Sequence, residues 1–113
     1  MANIFTSDKI KGKRWQVYAL VCPTTQEIKY IGVTFGTLQQ RFWEHISALK
    51  VEYTPKANWI RGLLAKGLKP QIVMLQDGYG SDWSVVERGY IAKYRLVGTL
   101  TNKHYQHMDY VER

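Results

Sequence analysis

The sequence predicts an α+β domain: a small, mostly antiparallel three-stranded sheet flanked by helices, in the order β-β-α-α-β-α. Three observations carry this prediction. Residues 15–21 and 28–33 show strand-like apolar alternation around a short turn. Two helical stripes follow, each announced by a threonine in a capping position. A short apolar run then precedes a third helical stripe.

In the first strand, Trp15, Val17, Ala19 and Val21 fall on one face and Gln16, Tyr18 and Leu20 on the other. Pro23-Thr24-Thr25-Gln26 supplies the turn of a hairpin. A loop with an odd number of residues centred on Thr24 would set Tyr18 opposite Tyr30, whereas an even loop would put them on opposite faces. The sequence leaves that parity open. Thr37 caps a helix with Leu38, Phe42, Ile46 and Leu49 as its apolar stripe. Thr54-Pro55 opens a second helix with Trp59, Ile60, Leu63 and Leu64 inward, and Gly67 ends it. Residues 70–76 predict a short buried strand, Asp77-Gly78-Tyr79-Gly80 a loop, and Ser81 the cap of a third helix reaching about Arg95. The chain thus divides into a basic lead-in (1–14), one folded domain (15–102) and a polar tail (103–113).

Sixteen Lys and Arg against nine Asp and Glu give a net charge of +7 over 113 residues. Such a balance favours polyanionic partners, DNA among them. The single cysteine, Cys22, excludes an internal disulfide and predicts a buried structural thiol in a reducing compartment. No apolar signal core and no bilayer-length run occur, so the expected location is intracellular (cytoplasmic), with no membrane partner. Lys9, Lys11, Lys13 and Arg14 precede the first strand, and Lys50, Lys56, Arg61, Lys66 and Lys69 gather near the second helix. Lys13, Arg14, Lys50, Lys56 and Arg61 are the candidate nucleic-acid contacts, serving the phosphates without reading sequence. Solvated helix faces are the alternative use of the same charges.

Several residues stand out of place. Glu87 falls inside the stripe of Trp83, Val86, Tyr90, Ile91 and Tyr94, and a buried carboxylate needs a partner. It is either paired to Arg or Lys for structure, or a metal ligand or catalytic group at the bottom of a pocket. Arg41 and His45 are spaced i, i+4 and share a helix face suited to an anion, with His45 at the edge of the apolar stripe. The same pair also suits an Arg snorkelling to solvent and a His bonded to backbone. Gly32 marks a strand bend or a close backbone approach. His104 and His107 share the i, i+3 spacing of metal ligands, but a polar tail is the favoured reading of them.

Taken in order, Gln16-Val17-Tyr18, Tyr30-Ile31-Gly32, Arg41 with His45, Glu87 and Asn102 resemble the GIY-YIG nuclease family over residues 15–102. The second signature is intact, and the leading glycine of the first is replaced by Gln16. The resemblance implies a Mg²⁺-dependent DNA endonuclease, with Mn²⁺ able to substitute. It implies Glu87 as the protein ligand of the metal, Arg41 on the scissile phosphate and Tyr18 activating water. Tyr30 and His45 would assist, Asn102 would support the site, and Gly32 would let the backbone pass closely. Whether Tyr18 or His45 takes the proton stays open.

The residue types suit that chemistry. A guanidinium can pair two phosphate oxygens at once. Mg²⁺ keeps most of its waters, so one carboxylate with substrate phosphate can hold it. Tyrosine ionises near ~10 in water, and a nearby cation or hydrogen-bond donor favours its phenolate. One active site cuts one strand per encounter, so double-strand cleavage would call on a homodimer, and targeting on a partner protein. A catalytically inactive nucleic-acid-binding module on the same scaffold is the alternative, and a protein-interaction domain with a basic face is a third.

Overall fold

The computed structural model describes residues 13–102. Lys9 and Lys11 of the lead-in and His104 and His107 of the tail lie outside the described residues. The predicted order is observed: β1 (Arg14–Val21), β2 (Ile28–Thr34), α1 (Leu38–Ala48), α2 (Pro55–Ala65), β3 (Gln71–Tyr79) and α3 (Trp83–Arg95). The sheet is antiparallel with strand order β2-β1-β3, so the first strand occupies the centre.

Central placement explains why β1 is buried on both faces from Val17 to Val21. Trp15 and Val17 pack with Ile31 and Ile91, beneath α3 residues Trp83, Val86, Tyr90 and Tyr94. Tyr18 and Leu20 face the other way, against Ile60 of α2 and Leu38 and Ile46 of α1. Each fully buried aliphatic side chain contributes about 1.5–3 kcal/mol, so the two faces together fix the strand's register.

Hairpin register resolves the open parity. Tyr18 pairs with Gly32 and Leu20 with Tyr30, so both tyrosines share a face but stand diagonally, not opposite. A bulge between Leu20 and Val21 leaves Lys29 as the extra residue of β2. A second irregularity lies between Val17 and Tyr18, where Gln76 and Met74 are the partners and Leu75 is the extra residue of β3. Tyr18 through Leu20 therefore sits between two points at which the neighbouring strands are kinked.

Both threonine caps form as predicted: Thr37 Oγ1 accepts from the Gln40 amide and Thr54 Oγ1 from the Ala57 amide. Gly67 follows α2 with φ of 77°, a left-handed conformation that glycine adopts without strain. Four local expectations are corrected. The third strand runs on to Tyr79 because Asp77 pairs with Arg14 at 2.7 Å and Gly78 accommodates the Trp15 ring; a Cβ there would lie 2.4 Å from that ring. It is also an edge strand, with Val73 and Met74 exposed, because β1 covers only one of its sides. Asp82, not Ser81, precedes α3, and its side chain makes no capping bond. In α2, Leu64 turns outward while Lys56, Ala57, Ile60 and Leu63 are buried. Lys56, Ile60 and Leu63 are spaced i, i+4, i+7, so the lysine occupies the inward row.

The outer edge of β2 is closed by residues 99–102. Thr99 Oγ1 donates to the Ile28 carbonyl, and Thr101 donates to the Lys29 carbonyl through both its amide and its hydroxyl. Asn102 completes the seam with a bidentate bond: the Ile31 amide donates to its Oδ1 at 2.9 Å, and its Nδ2 donates to the Ile31 carbonyl at 2.8 Å. The side chain thus imitates a neighbouring strand. Asn102→Ala leaves both Ile31 groups without these partners in a buried setting, and the expected loss is about 2 kcal/mol or more. Calorimetry should show Tm falling by roughly 10 °C; a fall of only a degree or two would show the seam to be dispensable.

Candidate active site around the Tyr18 phenol

Tyr18 has no exposed surface, yet its hydroxyl is polar and must be satisfied. Gly32, its cross-strand partner, gives it room: a Cβ at Gly32 would lie 2.5 Å from Tyr18 Oη and 2.8 Å from its Cζ. The close approach expected at this glycine is made by the tyrosine head of the neighbouring strand. Tyr30 and His45 complete an aromatic cluster around it, with centroids 6.4 and 5.8 Å from the Tyr18 ring and 5.4 Å from one another.

Tyr18 Oη lies 2.6 Å from His45 Nε2, and Arg41 Nε donates to it at 3.0 Å. Arg41 and His45 reach one atom because they stand one turn apart on α1. Arg41 Nη1 also donates to Glu44 at 2.8 Å. On the other side of the imidazole, Lys56 Nζ is 3.0 Å from His45 Nδ1 and 2.8 Å from Glu52. Its ammonium also stands over the Tyr30 ring, 5.3 Å from the centroid.

Burial and neighbours set the protonation states. Burial pushes the Tyr18 phenol above its ordinary pKa of 10, and Tyr30 and Glu87 add to that rise. Arg41, by its charge and its hydrogen bond, opposes it without reversing it. The phenol is therefore neutral at rest, which corrects the expectation that its neighbours would favour phenolate. Burial likewise depresses His45, helped by the positive charges of Lys56 and Arg41, to about 3. The imidazole is thus neutral and a weak base. For Arg41, burial opposes the charge, but Tyr18 and Glu44 outweigh it and hold the guanidinium firmly cationic.

Glu87 is buried on α3, and its carboxylate acts electrostatically on the Tyr18 phenol. Among the described residues no three His, Cys, Asp or Glu side chains cluster as a metal cage. Glu44 and Glu52 are engaged by Arg41 and Lys56. Glu87 is the residue that the resemblance assigns to the metal, and a carboxylate is the donor type that a hard divalent cation such as Mg²⁺ takes alongside waters and a phosphate. Asn102 stands apart from the phenol. It bonds Ile31, the residue between Tyr30 and Gly32, and so holds the strand that forms this wall.

The candidate nucleic-acid contacts divide. Lys50 is exposed. Lys13 stands over the Phe35 ring at 4.7 Å, and Arg14 pairs with Asp77. Arg61 donates to the Leu49 and Glu52 carbonyls and to Asn58, and stacks on Tyr53 at 4.3 Å, which makes it a clamp on the α1–α2 connection. Lys56 is buried beside His45, so the expectation of a surface phosphate contact is corrected. Its inward spacing with Ile60 and Leu63 is the signal that would have found it. Gln16, at the position of the replaced glycine, has its own use: its amide donates to the Gly36 carbonyl at 3.0 Å and ties β1 to the loop entering α1.

Two measurements probe this geometry. Gly32→Ala forces the Tyr18 head away from Arg41 and His45 at a cost of about 1–3 kcal/mol in urea unfolding; an unchanged midpoint would show that the ring can shift freely. His45 binds its proton more readily unfolded, near 6.5, than folded, near 3, so its contribution to stability is complete above pH 6.5 and is lost as pH falls toward 3. Between pH 6.5 and 5, above the ordinary carboxylate range, stability should drop by up to about 1.4 kcal/mol per unit. His45→Gln should flatten that slope, and an equal slope in the variant would place its origin elsewhere.

Comparison with known proteins found no matching family model, curated protein or solved structure.

Proposed function

We propose that this chain is a GIY-YIG-type endonuclease that hydrolyses phosphodiester bonds in DNA with Mg²⁺, or Mn²⁺ in its place. The observation that carries the reading is the Tyr18 phenol, seated over Gly32 and hydrogen-bonded by Arg41 with His45 at 2.6 Å. Tyr18, Gly32, Arg41 and His45, four of the residues that resemble the family's signature positions, meet here at one oxygen atom. No helix among the described residues is long and apolar enough to cross a membrane. The unpaired Cys22 thiol supports an intracellular, cytoplasmic setting for a DNA substrate.

In this reading Arg41 receives the scissile phosphate. Its Nε and Nη1 are anchored on Tyr18 and Glu44, so the guanidinium would meet a nonbridging oxygen without a search through rotamers. Tyr18 first gives its own proton to solvent hydroxide, and the phenolate then orients the attacking water and accepts its proton. The hydrogen bond from Arg41 supports the negative charge that develops on Oη. His45, neutral and packed against both tyrosines, holds that oxygen in place. Glu87 would hold the divalent cation, whose chemistry is to stabilise the leaving 3′ oxygen as a Lewis acid.

A second reading, a nucleic-acid-binding module without activity, draws on the raised pKa of Tyr18, because a neutral phenol can bind phosphate without activating water. Incubation with supercoiled plasmid and Mg²⁺ separates the two. Wild type should nick or linearise the plasmid, faster with rising alkaline pH as the phenol ionises. Glu87→Ala, Arg41→Ala and Tyr18→Phe should each lose at least about a hundredfold. Cleavage that persists in all three would sink the site assignment. Salt-sensitive binding with no cleavage of any DNA form would favour the binding module.

A further inference from the structure

We propose that Lys56, held by Glu52, is a positioning residue that fixes the tautomer of His45 and so directs two hydrogen bonds onto the Tyr18 oxygen. This rests on the nuclease reading for its consequence, although the tautomer itself does not.

The inference follows from counting protons. An ammonium has only hydrogens to offer, so the 3.0 Å contact between Lys56 Nζ and His45 Nδ1 requires Nδ1 to accept. A neutral imidazole then carries its single proton on Nε2. Nε2 lies 2.6 Å from Tyr18 Oη and donates to it. Arg41 Nε donates to the same oxygen, so Oη accepts twice and the phenol's own hydrogen points elsewhere. Had Nδ1 carried the proton, Nε2 would accept the phenol's hydrogen and draw it away from the cleaving side. Choice of tautomer thus decides whether Tyr18 presents its proton to a ligand or commits it to the protein.

Lys56 is built for that choice. It is 8% exposed, and its ammonium hydrogens have three destinations: Glu52 at 2.8 Å, His45 at 3.0 Å and the Tyr30 ring. Glu52 lies one turn before it, so carboxylate, ammonium, imidazole and phenol form one chain from partly exposed surface to buried oxygen. The charged and titratable groups around the imidazole are Tyr18 from β1, Tyr30 from β2, Arg41 and Glu44 from α1, Glu52 from the connection, and Lys56 from α2. Only Lys56 meets Nδ1 among the described hydrogen bonds.

Long-range ¹H–¹⁵N correlation spectra of the histidine-labelled full chain test the tautomer directly. The sequence has three histidines, and a His104→Ala/His107→Ala background identifies the His45 signals. His45 should be protonated at Nε2 and unprotonated at Nδ1 in wild type, and Lys56→Met should shift it toward the Nδ1-protonated form. In plasmid cleavage Lys56→Met should lower kcat about tenfold to a hundredfold, with KM and the salt dependence of binding unchanged. Glu52→Gln should move both readouts the same way by less. Protonation at Nδ1 in wild type would overturn the proposal, as would an unaltered tautomer in folded Lys56→Met. So would a variant that loses DNA affinity at constant kcat, which is the behaviour of a phosphate contact. Should Lys56→Met fail to fold, the wild-type spectrum and Glu52→Gln decide. Wild type without cleavage would end the nuclease reading, while the spectra would still decide the role of Lys56.

Discussion

The close seating of the Tyr18 phenol over Gly32 is the constraint on which the rest of this molecule depends. With 2.5 Å between Oη and where a Cβ would stand, that position of β2 excludes every residue but glycine unless the ring moves. The ring in turn occupies the face on which α1 and α2 pack. Strand register, helix placement and the geometry around the hydroxyl are thus consequences of one contact. The bulges flanking Tyr18 through Leu20 on both sides fit this picture, because they let the outer strands adapt to a central strand that cannot slide.

Burying that hydroxyl obliges the protein to bury its partners as well. An unpaired polar group in the interior costs more than a hydrogen bond returns, so the chain Glu52, Lys56, His45, Tyr18, Arg41 and Glu44 continues until it reaches solvent at both ends. Its members come from β1, α1, α2 and the connection between the helices. The two apolar clusters divide the same elements differently, with α3 on one face of the sheet and α1 and α2 on the other. A polar thread and an apolar sandwich therefore specify the same arrangement, and each penalises errors in the other.

This arrangement also changes what the net charge of +7 means. Arg14, Arg61 and Lys56 are committed to Asp77, to backbone carbonyls and to the imidazole, and Lys13 rests on an aromatic ring. Four of the sixteen basic side chains that suggest a polyanion in the sequence thus do internal structural duty. Lys50, exposed, and Arg41, held by Tyr18 and Glu44, are better placed to meet a phosphate.

By itself the sequence determined the element order, the threonine caps at Thr37 and Thr54, and the sharing of a face by Arg41 and His45. Each is settled within about one turn or one strand, where periodicity and capping act directly on neighbouring residues. Glu87 was likewise conspicuous, because a carboxylate inside an apolar stripe is visible from spacing alone. Only the tertiary structure decided that Tyr18 faces Gly32 and stands diagonal to Tyr30, that β3 is an edge strand reaching Tyr79, and that Lys56 turns inward. It also decided that the phenol is neutral. Those outcomes depend on pairings between residues 11, 27 and 63 positions apart, and on how much water the packed layers exclude. No local pattern encodes either, so Lys56 carried the spacing of an inward residue and the look of a surface one.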